Sequence, residues 1–128
     1  MNLSRFLLFA FVIVLSACDK DDAEPTCAQS DWVGTYTGTA NCDGSSDNTT
    51  VTITARGTDQ IVIVYVAGST TTTFDPLTVE GCDVERTNSA QGVTGSVSAT
   101  LDGDNFSLTE TLTGGGFDTN CVVTATRQ

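Results

Sequence analysis

The chain has 128 residues, with 16 acidic and 5 basic side chains and a formal net charge of −11. Such an acidic chain, with Lys20 as its single lysine, is a poor match for nucleic acid, whose phosphates need cationic partners. The absence of histidine excludes a Ser-His-Asp relay, a Cys-His pair and histidine metal sites. We therefore expect no nucleic-acid partner and no enzyme activity, because the many Ser and Thr hydroxyls have no base to activate them.

The first residues predict an export signal that covers 1–17. Arg5 supplies a positive start, residues 6–15 are an uninterrupted apolar run, and the small residues Ser16 and Ala17 precede a cleavage point. Ten helical residues rise about 15 Å, roughly half of a bilayer core, so the run is too short for a stable membrane span.

Leu15-Ser16-Ala17-Cys18 resembles the lipobox of bacterial lipoproteins. This resemblance implies cleavage before Cys18, acylation of its thiol, and attachment to a membrane through the N-terminal acyl anchor. Each buried CH₂ of such an anchor contributes about 0.8 kcal/mol. The alternative is an ordinary signal peptide that happens to be followed by a cysteine.

The segment 18–30 has the composition of a solvated acidic tether. Lys20-Asp21-Asp22 also resembles the lysine-plus-acidic tag of Bacteroidota-type lipoproteins that are displayed on the outside of the outer membrane, although Asp19 and Ala23 depart from its commoner residues. The resemblance implies an outer-membrane, surface-exposed protein, and the periplasmic face of that membrane is the alternative.

From residue 31 to 128, apolar and polar residues alternate with period two, and turn residues separate the runs. The pattern predicts strands at 32–41, 49–56, 60–67, 70–79, 82–87, 93–101, 105–113 and 119–127. Short connections allow only antiparallel neighbours, and closing the eighth strand onto the first removes both bare edges. We predict an all-β fold, a small up-and-down eight-stranded barrel, with a β-sandwich as the alternative. The third strand is apolar on both faces, so either Ile61, Ile63 and Tyr65 or their neighbours face inward.

The five cysteines divide into Cys18, assigned to lipid, and four that form two disulfides in an oxidising compartment. No C-x-x-C spacing occurs among those four, which disfavours a metal site. In a closed meander, Cys42 and Cys121 lie at one end and Cys27 and Cys82 at the other. The predicted pairs are therefore Cys42–Cys121 and Cys27–Cys82.

The barrel pattern resembles the lipocalin-like, or calycin, families, which carry Gly-x-Trp on the first strand and an arginine on the last. Gly34-Thr35-Tyr36 occupies the first motif with tyrosine in place of tryptophan, Trp32 lies two residues earlier, and Arg127 ends strand eight. If Cys42 faces Cys121, antiparallel counting places Arg127 opposite Tyr36, where a guanidinium over the ring would contribute about 0.5–2 kcal/mol. The resemblance implies structural roles for Trp32, Gly34 and Arg127, and a bound small molecule. Core packing with a solvated terminal arginine is the alternative.

Two charged residues, Arg86 and Glu110, fall on otherwise apolar faces of strands five and seven. A buried unpaired charge is costly, so we interpret them as the polar part of a small interior cavity; a bulge that turns one of them outward is the alternative. Together with Tyr36 and Phe106 they are the candidate binding residues for a small apolar or amphipathic ligand.

We expect no cofactor and no metal, since the oxygen-rich stretches 43–48 and 102–105 lack the spacing of a calcium loop. The second functional hypothesis is a structural or protein-interaction module of the cell envelope with a filled core. Its partner would be another envelope protein or a second copy of the chain, covering the apolar outer face of strand three.

Overall fold

The computed structural model describes residues 26–128. The predicted export signal, Cys18 and the first part of the predicted tether lie outside these residues. A four-residue helix precedes eight strands, with these bounds: α1 (Gln29–Trp32), β1 (Gly34–Cys42), β2 (Ser45–Arg56), β3 (Gln60–Ala67), β4 (Thr70–Thr78), β5 (Asp83–Ala90), β6 (Val93–Asp102), β7 (Asn105–Gly114) and β8 (Phe117–Arg127). Between Thr26 and Gln128, no helix combines the length and apolar character needed to cross a bilayer.

The strands form one antiparallel sheet in the order β4-β3-β2-β1-β8-β7-β6-β5, curled into a nearly closed barrel. β8 pairs with β1 in the predicted register, with Tyr36 opposite Arg127 and Cys42 opposite Cys121. The predicted all-β barrel and its closure through the first and last strands are confirmed. A single continuous sheet excludes the β-sandwich alternative.

Both predicted disulfides, Cys27–Cys82 and Cys42–Cys121, are formed. They define the two ends of the barrel. The lower end carries Cys27–Cys82, where β4 finishes and β5 begins, and the upper end carries Cys42–Cys121, where β1 finishes.

The barrel is interrupted between β4 and β5, which neighbour-to-neighbour pairing would have joined. Beyond one bridge between Glu80 and Asp83 at the lower end, these two strands are not paired. Pro76 offers one reason, because proline has no N–H to donate and belongs on sheet edges. The ladder from β4 to β3 is itself irregular at this point, with a register shift opposite Ile61 and Ile63. We call the unpaired gap the seam.

Side chains that alternate along the strands fill the barrel. On β3, Ile61, Ile63 and Tyr65 are buried, whereas Val66 is 40% exposed, which decides the choice of inner face that the sequence left open. The other buried aliphatic and aromatic residues come from α1 and from all seven of the remaining strands: Trp32, Tyr36, Ala40, Val51, Ile53, Phe74, Leu77, Val84, Val97, Ala99, Leu101, Phe106, Leu108, Val123 and Ala125.

Trp32 lies at the end of α1, so its prediction as the first residue of strand one is wrong. The Asp31 carboxylate accepts a hydrogen bond from the Ala28 backbone N–H at 2.7 Å, which supports a single helical turn. That turn places the Trp32 indole at the lower end of the barrel. The side chain is completely buried there, and its N–H donates to the Gly81 carbonyl at 3.0 Å. Trp32 therefore packs into the core from α1 and not from strand one.

Two of the connections between predicted strands, 42–48 and 88–92, contain tight turns and are shorter than predicted. Asp43-Gly44 joins β1 to β2 and Gln91-Gly92 joins β5 to β6, and all four residues have positive φ, as mirror-image two-residue turns require. β2 therefore begins at Ser45, and β5 continues to Ala90. Most of the oxygen-rich stretch 43–48 is strand rather than a loop.

Candidate functional site: a cavity beside the seam

Arg127 seals the lower end of the barrel. Its guanidinium carbon lies 4.9 Å from the centre of the Tyr36 ring, and it donates to the Tyr36 hydroxyl and the Val33 carbonyl, each at 2.7 Å, and to the Asp31 carbonyl. Gly34 leaves room for the guanidinium, because a Cβ there would lie 2.6 Å from Arg127 Nη1 and would displace it. Through these contacts, Gly34 and Arg127 stabilise the lower end of the barrel, where β1 begins.

The lower interior is packed with aromatic rings. Phe106 lies 5.5 Å from the Tyr36 ring and 6.5 Å from the Trp32 ring, centre to centre. Tyr36 donates its hydroxyl to the Trp32 carbonyl at 2.9 Å. Burial raises the pKa of Tyr36, and the nearby charge of Arg127 opposes that shift. The candidate ligand residues Tyr36 and Phe106 thus lie in the packed core and do not line the cavity described next.

A half-open cavity of about 300 Å³ lies in the upper half of the barrel, beside the seam. Its apolar wall includes Phe74 of β4, Val97 of β6 and Leu112 of β7, and its polar wall includes Arg86 of β5 and Glu110 of β7. The structure therefore brings Arg86 and Glu110, two of the four candidate ligand residues, to one cavity.

Strand register explains why both charged side chains face this cavity. Arg86 pairs with Val97, and Val97 pairs with Glu110, so the three residues form one row across β5, β6 and β7. Directly paired residues share a face of the sheet, and Val97 is buried. With strands about 4.8 Å apart, the Cα atoms of Arg86 and Glu110 are separated by about 10 Å.

Glu110 is held by a tyrosine from the opposite wall. The Tyr65 hydroxyl of β3 donates to Glu110 Oε2 at 2.8 Å and lies 3.4 Å from Cys121 Sγ. Burial raises the pKa of Tyr65 to about 12, with Glu110 adding to the shift and a hydrogen bond with Thr72 opposing it. Tyr65 therefore remains a neutral donor at physiological pH, and it fixes one carboxylate oxygen of Glu110.

Arg86 reaches across the seam. Its Nη1 donates to the Pro76 carbonyl of β4 at 2.9 Å. Among residues 26–128, carboxylates lie within 4 Å of Arg56 and Arg127, their partners being Asp75 and Asp104, but not of Arg86. A guanidinium has five N–H donors in a planar fork. Arg86 thus presents a half-buried positive charge at the cavity with donors to spare.

Sequence reasoning gives no site role to three residues, Tyr65, Phe74 and Pro76. Phe74 was placed on strand four without a role, and it stacks at 6.3 Å on Tyr65 at the cavity wall. Pro76 was treated as an ordinary strand residue, although a proline within a strand run is itself a signal of an edge. That signal would have placed the opening of the barrel at β4.

Comparison of the chain with protein-family models, with curated proteins and with solved structures found no match.

Proposed function

We propose that this protein is a lipid-anchored envelope protein whose barrel binds a small amphipathic ligand in the cavity beside the seam. The observation that carries the proposal is the composition of the cavity wall, where Phe74, Val97 and Leu112 adjoin Arg86 and Glu110. Ligand sites characteristically combine an apolar lining with a few converging polar groups, in volumes of about 300–1,000 Å³. This cavity is at the lower limit, so its ligand is small.

The placement of the cavity also supports this function. The described chain begins at Thr26, next to Cys27 at the lower end, whereas the cavity opens in the upper half. An acyl anchor on Cys18 would attach the lower end to the outer membrane and leave the cavity open to the aqueous side. The resemblance of Lys20-Asp21-Asp22 to a surface-display tag supports a location on the outside of that membrane, with the periplasmic face as the alternative.

Titration calorimetry of the detergent-extracted, lipidated protein with indole, a neutral amphipathic probe, tests the cavity. We expect indole to bind the wild type. Val97→Phe fills the cavity and should abolish binding, whereas the matched control Val122→Phe, at an outer position that is 41% exposed, should retain it. Equal binding by the two variants, or none by the wild type, would contradict the proposal. Intact mass spectrometry of the same preparation should show acyl chains on Cys18.

A second candidate function, a protein-interaction module, is favoured by an uncharged outer surface on this acidic chain. Thr37 of β1 lies between Thr50 of β2 and Thr126 of β8, and Val66 of β3 pairs with Thr50. Val66 and Val122 are each about two-fifths exposed. Sedimentation analysis would support this function if the protein self-associates and if Val66→Glu makes it monomeric.

A further inference from the structure

Resting on the proposed function, we infer that the ligand is a zwitterion: an apolar amino acid or short apolar peptide, with its carboxylate on Arg86, its ammonium on Glu110 and its side chains against the apolar wall.

The charges of Arg86 and Glu110 are separate from each other. Arg86 donates to the Pro76 carbonyl, and Glu110 accepts from Tyr65, so each is oriented by a neutral protein group instead of by the other. A half-buried charge without an ionic partner is unfavourable unless something compensates for it. The cavity between them therefore offers one site for an anion and one for a cation.

Each of the two charges recognises a particular ligand group. The planar fork of an arginine matches a carboxylate, with which it forms two parallel hydrogen bonds. One oxygen of Glu110 is occupied by Tyr65, and the carboxylate retains further lone pairs for an ammonium group. Phe74, Val97 and Leu112 supply the apolar surface that an aliphatic or aromatic side chain would cover.

Electrostatics and geometry both favour a zwitterion. A simple anion would be repelled by a chain of net charge −11, and a simple cation would leave Arg86 without an ionic partner. A zwitterion has no net charge and satisfies both groups. The Cα atoms of Arg86 and Glu110 are about 10 Å apart, and both residues line the same cavity, so one small molecule with two opposite charges can contact both.

Calorimetric titration of the detergent-extracted, lipidated protein with leucyl-leucine tests the inference, since each charge can be removed from the ligand. Its C-terminal amide lacks the carboxylate, and its N-acetyl derivative lacks the ammonium. Because a hydrogen bond to a charged group contributes about 1.5–3 kcal/mol, each derivative should bind about tenfold to a hundredfold more weakly than leucyl-leucine. The amide is a cation and is favoured by the acidic protein as a whole, which makes its loss of affinity the stronger result.

Two protein variants should reproduce these losses selectively. Arg86→Gln should weaken leucyl-leucine binding and remove the preference for the free acid over its amide. Glu110→Gln should remove the preference for the free amine over the N-acetyl form. Glu110→Gln keeps an oxygen that can accept from Tyr65. Native-like β-sheet circular dichroism of both variants provides the control that the barrel is still folded.

The outcomes separate the two proposals. Binding of indole without leucyl-leucine would overturn the zwitterion and leave the cavity function standing, whereas failure of both probes would overturn both. Wild-type protein that binds either derivative as tightly as leucyl-leucine would also overturn the inference, because the corresponding charge would then not be recognised.

Discussion

Three arginines of the barrel make different use of the same guanidinium group. Arg56 forms an ion pair with Asp75 in which both side chains are largely exposed, and such pairs contribute about 0–1 kcal/mol. Arg127 is 27% exposed and joins α1, β1 and the β6–β7 turn. Arg86 bridges the seam and faces the cavity.

We predict that Arg127→Ala lowers the free energy of unfolding by about 2–4 kcal/mol, through lost charge-assisted hydrogen bonds and the lost contact with the Tyr36 ring. Arg56→Ala, the matched control, should change it by less than about 1 kcal/mol. Urea unfolding followed by Trp32 fluorescence measures both. Equal effects of the two substitutions would show that the Arg127 contacts at the lower end contribute no more than a surface ion pair.

At the scale of elements, the barrel closes through β1 and β8 and leaves its edges at β4 and β5. Closure satisfies the backbone groups of the chain's first and last strands, so the unpaired N–H and C=O groups occur in the middle of the sequence. The upper half of β5, from Thr87 to Ala90, is exposed on both faces, so apolar burial does not hold it in place. We expect the seam to be the least stable part of the sheet.

Hydrogen exchange measures that difference directly. Amides of β5 between Thr87 and Ala90 should exchange much faster than those of β8 between Cys121 and Ala125, because β8 is paired on both sides and anchored by the buried Val123. Protection of β5 equal to that of β8 would mean that the seam is held shut in solution.

The order of the strands and the pairing of β8 with β1 are the features that the sequence predicted best. Period-two alternation and short turns determine the meander, and the register of β8 against β1 follows from Cys42 and Cys121. The same pattern carries no information on whether β4 pairs with β5, because that depends on a missing N–H at Pro76 and on weak burial of β5. Trp32 was misassigned since Asp31 makes a helical turn out of an alternating segment.

The residues of the cavity also differ in how far the sequence predicts them. Arg86 and Glu110 could be singled out because a charge within an apolar alternation is visible in one strand at a time. Tyr65 and Phe74 could not, since the role of Tyr65 depends on β3 facing β7 across the barrel and that of Phe74 on β4 meeting β5 at the seam. Contacts through an interior combine residues that no periodicity connects.

At the scale of the whole molecule, the two disulfides restrain opposite ends. Cys42–Cys121 joins strands that are already neighbours in the sheet. Cys27–Cys82 joins the segment that precedes α1 to the lower end, or foot, of the seam. The crosslinked residues are 79 and 55 positions apart in the chain. Chain entropy depends only on the logarithm of that separation, so it assigns each link about 4 kcal/mol.

We therefore predict similar losses of stability, about 4 kcal/mol, for Cys42→Ala/Cys121→Ala and for Cys27→Ala/Cys82→Ala, measured by urea unfolding. Hydrogen exchange should distinguish the two variants, because the first keeps the β1–β8 ladder as a second restraint, whereas the second frees the foot of the seam. Faster exchange in β4 and β5 is expected only for Cys27→Ala/Cys82→Ala. If the upper variant accelerates exchange at the seam as strongly, the two ends of the barrel are coupled, and the seam is not an independent opening.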